Sequence, residues 1–350
     1  MGSKRYVLYT LLTVLVLFGA SAGGRRDDEG VGLDHQSMIN PALARRVATI
    51  QGINLGNALE APIEGSWGVT LYDEDFSIIA EGGFNTVRVP IRWNAHALQD
   101  PPFTVDEGFF ARIDWVLDNA EKNGLLAIIN MHHYDAIFSS PADHEERFLA
   151  IWRQIAERYA DREDDRVWFE ILNEPHDRLS GAVWYNLLKD AIAVVRESNS
   201  SRPIVVTGDR WGAAASLFGL RVPDDRNLVY TFHYYEPFEF THQGASWVSG
   251  SHRWLGTTWE GTNAQRAAIE RHFNSAELIA NRAGYPVLVG EFGAYSAGSM
   301  PYRVLWTRCV VETARAHGFG YAYWEYRHGF GAYDRSRRNW NEALHDALIR

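Results

Sequence analysis

Eight short, β-branched apolar runs alternate with amphipathic helical patterns along this chain of 350 residues. That alternation predicts an α/β fold, a single (β/α)8 or TIM barrel. Two further observations support it. Roughly 300 residues follow a polar N-terminal stretch, the usual size of such a barrel. The first run leads into "GNALEAPIEGSWG", which lacks the G-x-G-x-x-G turn that an open doubly wound sheet places after its first strand.

The strand runs are "ATIQGINLG" (48–56), "NTVRVPI" (85–91), "LLAIINM" (125–131), "VWFEILN" (167–173), "PIVVTG" (203–208), "NLVYTFHYY" (227–235), "PVLVGEFG" (286–293) and "GYAYWEY" (320–326). Between them, "DEGFFARIDWVLDNAEKNG" puts Phe109, Ile113, Val116, Leu117 and Ala120 on one helical face and stops at Gly124. "DHEERFLAIWRQIAERYA", "AVWYNLLKDAIAVVRES", "AQRAAIERHFNSAELIANRAG" and "YRVLWTRCVVETARAHG" read the same way. Trp115, Trp152 and Trp184 lie inside such patterns and read as core. Other tryptophans sit beside Gly, Pro, His or Asn in loops, where packing alone does not call for them.

Ahead of the barrel, Lys4 and Arg5 precede the apolar stretch "YVLYTLLTVLVLFGA", and Ala20–Ala22 form an A-x-A pattern. Residues 1–22 therefore read as a signal peptide, 23–44 as a polar linker or N-terminal segment and 45–350 as the (β/α)8 domain. The alternative is a retained anchor, for which the apolar run is short. Cleavage removes two cations and takes the formal charge from −10 to −12. Such an acidic surface argues against nucleic acid and anionic membrane as partners, and the reading expects an extracellular or periplasmic monomer.

Cys309 is the single cysteine, which excludes a disulfide framework and a thiolate metal site. "HEERF" (144–148) fails as H-E-x-x-H, and the adjacent His132 and His133 point to opposite faces of a strand. "GASWV" (244–248) fails as a nucleophile elbow. No metal and no cofactor is expected.

Barrel chemistry sits at the C-terminal ends of strands. Asn57 and Glu60, Arg88, His132 and His133, Asn173 and Glu174, His233 and Tyr235, Glu291, and Trp324 with Glu325 all fall at or near those ends. A charge taken into a low-dielectric interior is costly unless paired, so Glu174 and Glu291 at the exits of apolar strands call for a purpose. Two carboxylates at one rim, among aromatics, are what glycoside hydrolysis needs: one protonates the leaving oxygen, the other attacks the anomeric carbon or activates water.

The segments "GINLGNALEAPIEGSWG", "VRVPIRW", "INMHHY", "EILNEPH", "HYYEPFEFTHQGASW", "GEFGAY" and "YWEY" resemble glycoside hydrolase family 5, the cellulase-type family of retaining (β/α)8 enzymes. The resemblance covers about Arg45 to Arg350, and "PFEFTHQGASW" is similar to a subfamily of stand-alone endoglucanases that includes members active on β-glucan and β-mannan. It implies Glu174 as acid/base and Glu291 as nucleophile, supported by Arg88, Asn173, His233 and Tyr235. It implies substrate contacts from Asn57, Glu60, His132, His133, His242, Trp247 and Trp324. The expected activity is endo-β-1,4-glucanase on cellulose or another β-linked polysaccharide. Endo-β-1,4-mannanase or a dual enzyme is the alternative, and a non-catalytic sugar-binding barrel a distant one. Arg88 is expected to keep Glu291 ionised, and the Glu291 charge to push Glu174 upward.

Overall fold

The computed structural model describes residues 39–350, so the signal peptide expected at 1–22 and most of the linker expected at 23–44 lie outside the described residues. The end of that linker belongs to the fold. Helix α1 (Pro41–Ala48) begins before residue 45, with the Asn40 side chain accepting from the Leu43 amide at 3.2 Å and proline in the first turn. Its Leu43 and Val47 cluster with Leu126, Ile128, Trp168, Val205, Val229 and Leu288. That cluster fills the N-terminal end of the barrel, so α1 packs as part of it.

Eight parallel strands close on themselves in chain order: β1 (Gln51–Asn54), β2 (Thr86–Val89), β3 (Leu126–Asn130), β4 (Val167–Glu170), β5 (Ile204–Thr207), β6 (Leu228–Tyr234), β7 (Val287–Phe292) and β8 (Gly320–Tyr323). Each predicted run contains one strand. The strands are shorter than the runs because the polar C-terminal residues of each run leave the ladder and form the rim. Around the sheet lie α2 (Asp73–Glu81), α3 (Glu107–Lys122), α4 (Asp135–Ser139), α5 (Pro141–Arg158), α6 (Gly181–Arg196), α7 (Phe238–Thr241), α8 (Asn263–Ala283), α9 (Met300–Ala316) and α10 (Glu342–Ile349). Between β5 and β6 a short 3-10 turn, Ala214–Gly219, replaces a full helix and packs against α8. Trp152 and Trp184 are fully buried, as expected of core, whereas Trp115 is partly buried beneath the Arg112 guanidinium, 4.0 Å from its ring.

Side chains alternate across each strand. Ile53, Val87, Ile129, Phe169 and Val206 face the helices and join the main core. The opposite set faces the barrel axis, apolar near α1 and polar higher up, where Asn54, Arg88, Asn130 and Glu170 are all buried. One strand breaks the alternation. In the β6–β7 ladder Phe232 pairs with Val289 and His233 with Glu291, which leaves Gly290 as an extra residue. A bulge of this kind re-aims the next side chain, and here it turns Glu291 inward toward Arg88. Glycine is required at the bulge, because a Cβ on Gly290 would lie 2.5 Å from Thr231 Oγ1.

Gly290→Ala is therefore expected to destabilise the protein by about 1–3 kcal/mol through overpacking and to lower turnover by misaiming Glu291. Adding Thr231→Ala recovers part of both losses. Urea unfolding and steady-state rates of the single and double variants check this, and an unperturbed single variant contradicts the role given to the bulge.

Candidate active site

At the centre lies Arg88, with no solvent exposure. Its Nε and Nη2 donate to the two oxygens of Glu170 at 2.6 and 2.7 Å. Nη1 donates to Glu291 Oε1 at 2.6 Å and Asn54 Oδ1 at 2.8 Å, and Nη2 also reaches Asn173 Oδ1 at 2.8 Å. All five N–H groups of the guanidinium thus have acceptors. Burial alone would lower its pKa, and the Glu170 and Glu291 charges overcome this and raise it. Glu170 is further held by Asn130 Nδ2 at 3.3 Å. Asn54 Nδ2 reaches the carbonyls of Gly290, Ala322 and Tyr323, tying β1 to β7 and β8.

Above this layer, one oxygen each of Glu174 and Glu291 and a ring nitrogen of His233 lie within 4.8 Å of one another. His233 Nδ1 is 2.7 Å from Glu174 Oε1 and 3.6 Å from Glu291 Oε2. Tyr235 donates to Glu291 Oε2 at 3.0 Å, so each oxygen of Glu291 carries a donor, Arg88 on one and Tyr235 on the other. Glu174 stands at φ +47°, in the left-handed region, as do His133 and Asn57 on neighbouring loops. Non-glycine residues in that region are strained and persist where their surroundings over-determine them, as at active sites.

The electrostatics correct one expectation. Burial pushes Glu174 upward, but the hydrogen bond and charge of His233 outweigh burial and bring it below its ordinary value, while the repulsion between the two carboxylates is felt at Glu291. Burial lowers His233 in turn, and the Glu291 and Glu174 charges outweigh burial and raise it. Burial lifts Glu291 above its ordinary value against the pull of His233 and Arg88. Its two donors still favour the anion near neutral pH, because a protonated Glu291 would have to give one up. His233 Nδ1 and Glu174 Oε1, 2.7 Å apart, are close enough to share a proton.

Around this centre, the His132 ring stacks with Trp324, centroids 5.9 Å apart and planes 14° apart. Burial lowers the His132 pKa well below its usual value, and the Asn130 amide meets its Nδ1 at 3.2 Å, which leaves the hydrogen on Nε2. His133 packs edge-on against Trp67 at 5.5 Å. Trp247 is 59% exposed and edge-on to Tyr295, the geometry of an open platform. His242 is only 7% exposed, stacks on Phe238 at 4.0 Å and lies edge-on to Tyr235, so it supports Tyr235 more than it offers surface.

Glu60 also departs from the expected substrate contact. It is 1% exposed, and its two oxygens accept from the backbone amides of Asn57 and Ala58. Asn57 in turn donates to Glu325 Oε2 at 2.9 Å. Glu60 and Glu325 thus brace the β1 loop against the β8 loop, and burial pushes both to about 8.

The polar layer of Asn54, Asn130 and Glu170 escaped the sequence reading. Its signal was present: these residues share the inward parity of Arg88. Glu174, His233 and Glu291 also form a trio of potential metal donors that no local spacing announces. The hydrogen bonds of Arg88 and Tyr235 already occupy Glu291, and that of His233 occupies Glu174.

The sequence pattern of the cellulase family, glycosyl hydrolase family 5, matches residues 49–329. Endoglucanase H of Acetivibrio thermocellus is 33% identical over 305 residues, covering 85% of this chain and 32% of that protein. Cellodextrinase A of Ruminococcus flavefaciens is 29% identical over 256 residues, 70% of this chain and 75% of that one. The chain thus spans about a third of the first relative and three quarters of the second. Among solved structures, Cel5A of Thermotoga maritima in complex with mannotriose superposes with a TM-score of 0.86 at 44% identity, covering 89% of this chain and 100% of the other. The same enzyme has been solved with cellobiose. The chain belongs to glycosyl hydrolase family 5, the cellulase family.

Glu60 and Glu325 bind protons more tightly when folded (about 8) than at the ordinary carboxyl value of 4.5. Their contribution to stability is then complete below about pH 4.5 and is lost as pH rises through about 8. Urea midpoints should fall between pH 5 and 9, and Glu60→Gln and Glu325→Gln should each flatten that fall. A slope unchanged in both variants contradicts the assignment.

Proposed function

We propose that the chain is a retaining endo-β-1,4-glucanase that cleaves internal bonds of cellulose or mixed β-glucan by double displacement. The observation that supports this most directly is the approach of Glu174 and Glu291 oxygens to within 4.8 Å. Retaining glycosidases hold their carboxyl groups about 5–5.5 Å apart, and inverting ones about 6.5–9.5 Å.

In the first step a Glu291 oxygen attacks the anomeric carbon. The glycosidic C–O bond breaks, its electron pair passes to the leaving oxygen, and Glu174 protonates that oxygen. Glu174 obtains the proton across the 2.7 Å hydrogen bond from a protonated His233 when bound sugar displaces water. Excluding water disfavours the separated His⁺–carboxylate charges and moves the proton onto Glu174. In the second step Glu174 removes a proton from water, the hydroxide oxygen bonds to the anomeric carbon, and the bond to Glu291 breaks. Asn173, whose Oδ1 accepts from Arg88, hydrogen-bonds the 2-hydroxyl in this mechanism, a contact that strengthens in the transition state. Trp324 and Trp247 supply apolar faces for sugar rings.

A second substrate class, β-mannan or glucomannan, is favoured by the likeness to Thermotoga maritima Cel5A, which has been solved with both mannotriose and cellobiose. The basic, apolar and A-x-A order of residues 1–22 supports export, which fits a polymer too large to enter a cell.

Reducing-sugar release from carboxymethylcellulose, barley β-glucan, glucomannan and galactomannan tests the substrate class, with the first two expected to be cleaved. Glu174→Ala and Glu291→Ala are each expected to lower β-glucan hydrolysis by at least about a hundredfold while circular dichroism stays unchanged. Azide restores turnover of an activated aryl glucoside by Glu174→Ala, giving the β-glycosyl azide. A normal rate in either variant overturns the roles.

A further inference from the structure

We infer that His176 is a positioning residue for the acid/base: its ring holds the left-handed backbone of Glu174, and with it the direction of the Glu174 carboxyl. This rests on the acid/base role proposed for Glu174.

His176 lies 2.6 Å from the carbonyl oxygen of Glu174 through its Nδ1. A carbonyl only accepts, so Nδ1 carries the hydrogen and donates it. The ring is clamped on both faces: Phe138 lies 4.0 Å away at 33°, and Trp211 is stacked at 4.8 Å and 12°. The clamp is tied to the same segment by its backbone, since the Trp211 amide donates to the Pro175 carbonyl at 3.1 Å and the Arg178 amide to the Phe138 carbonyl at 3.0 Å. Glu174, Asp177, Arg210 and Trp211 all have positive φ between 47° and 57°. Four non-glycine residues in that region, on two loops that touch, need an outside constraint to stay there. The His176 hydrogen bond meets the Glu174 peptide directly, and the Phe138–His176–Trp211 stack fixes where that donor stands. No group of His176 is needed by the two displacement steps, so its effect on them passes through Glu174.

The test is the dependence of kcat/KM on the leaving group. Loss of acid aim slows glycosides with poor leaving groups, which need a proton, and spares those with good ones. His176→Phe keeps the stack and removes the donor. It should stay within about twofold of the wild type on a 2,4-dinitrophenyl β-cellobioside and fall by about tenfold or more on the phenyl glycoside and on cellotetraose. His176→Asn, which retains an N–H donor, should recover more of the poor-leaving-group rate than His176→Leu of similar size. That pair decides the matter if His176→Phe does not fold. Equal losses on all substrates mean a merely structural ring and overturn the inference, as does an unchanged leaving-group trend. A wild-type protein inert on every β-glycoside overturns the hydrolase reading itself, which separates the two failures.

Discussion

A guanidinium taken fully out of water is the constraint around which this barrel is organised. Arg88 has five N–H groups, and four residues from different parts of the sheet accept them: Asn54 on β1, Glu170 on β4 with both its oxygens, Asn173 just beyond it and Glu291 on β7. Removing a charge from water costs several kcal/mol unless its partners are complete, and here they are complete only when the barrel is closed and β7 is bulged. Folding and site assembly are therefore the same event. The apolar layer capped by α1 closes the far end, and the polar layer above it leaves one buried charge set aimed at the rim.

That arrangement gives the two carboxylates different tasks. Glu291 is buried and has a donor on each oxygen, whereas the Glu174 side chain is 26% exposed and, among the described residues, is paired with His233. The first is held as an anion ready to attack. The second shares a proton with a neighbour and can accept or release it. His233 lies closer to Glu174 than to Glu291, by 2.7 against 3.6 Å, so its Nδ1 is paired with the Glu174 carboxyl. The pKa values of such a linked group belong to the set and not to any one member.

Much of this was legible in the sequence, because strand period and strand-end chemistry are local signals. All eight strands lay within the expected runs, and the structure brings Arg88, Asn173, Glu174, His233, Tyr235 and Glu291 together. What escaped the sequence depended on three-dimensional company. The hydrogen bonds of Glu60 run to backbone amides, which no side-chain motif encodes. Glu325 accepts from the side chain of Asn57, 268 residues away, and from the Phe330 amide. The β7 bulge is one residue of register, invisible in "LVGEFG" until its pairing with His233 is known. Helix α1 is short and polar on one side, and only its two buried residues, Leu43 and Val47, reveal what it plugs.

The central claim is that Glu291 attacks carbon and does not merely activate water. Proton NMR of a fresh hydrolysate, taken before mutarotation sets in, addresses it directly. The account requires the β-anomer to appear first, with the α-anomer growing in later. An α-anomer formed first would mean inversion, with Glu291 acting as a base for water, and would contradict the reading of the 4.8 Å approach.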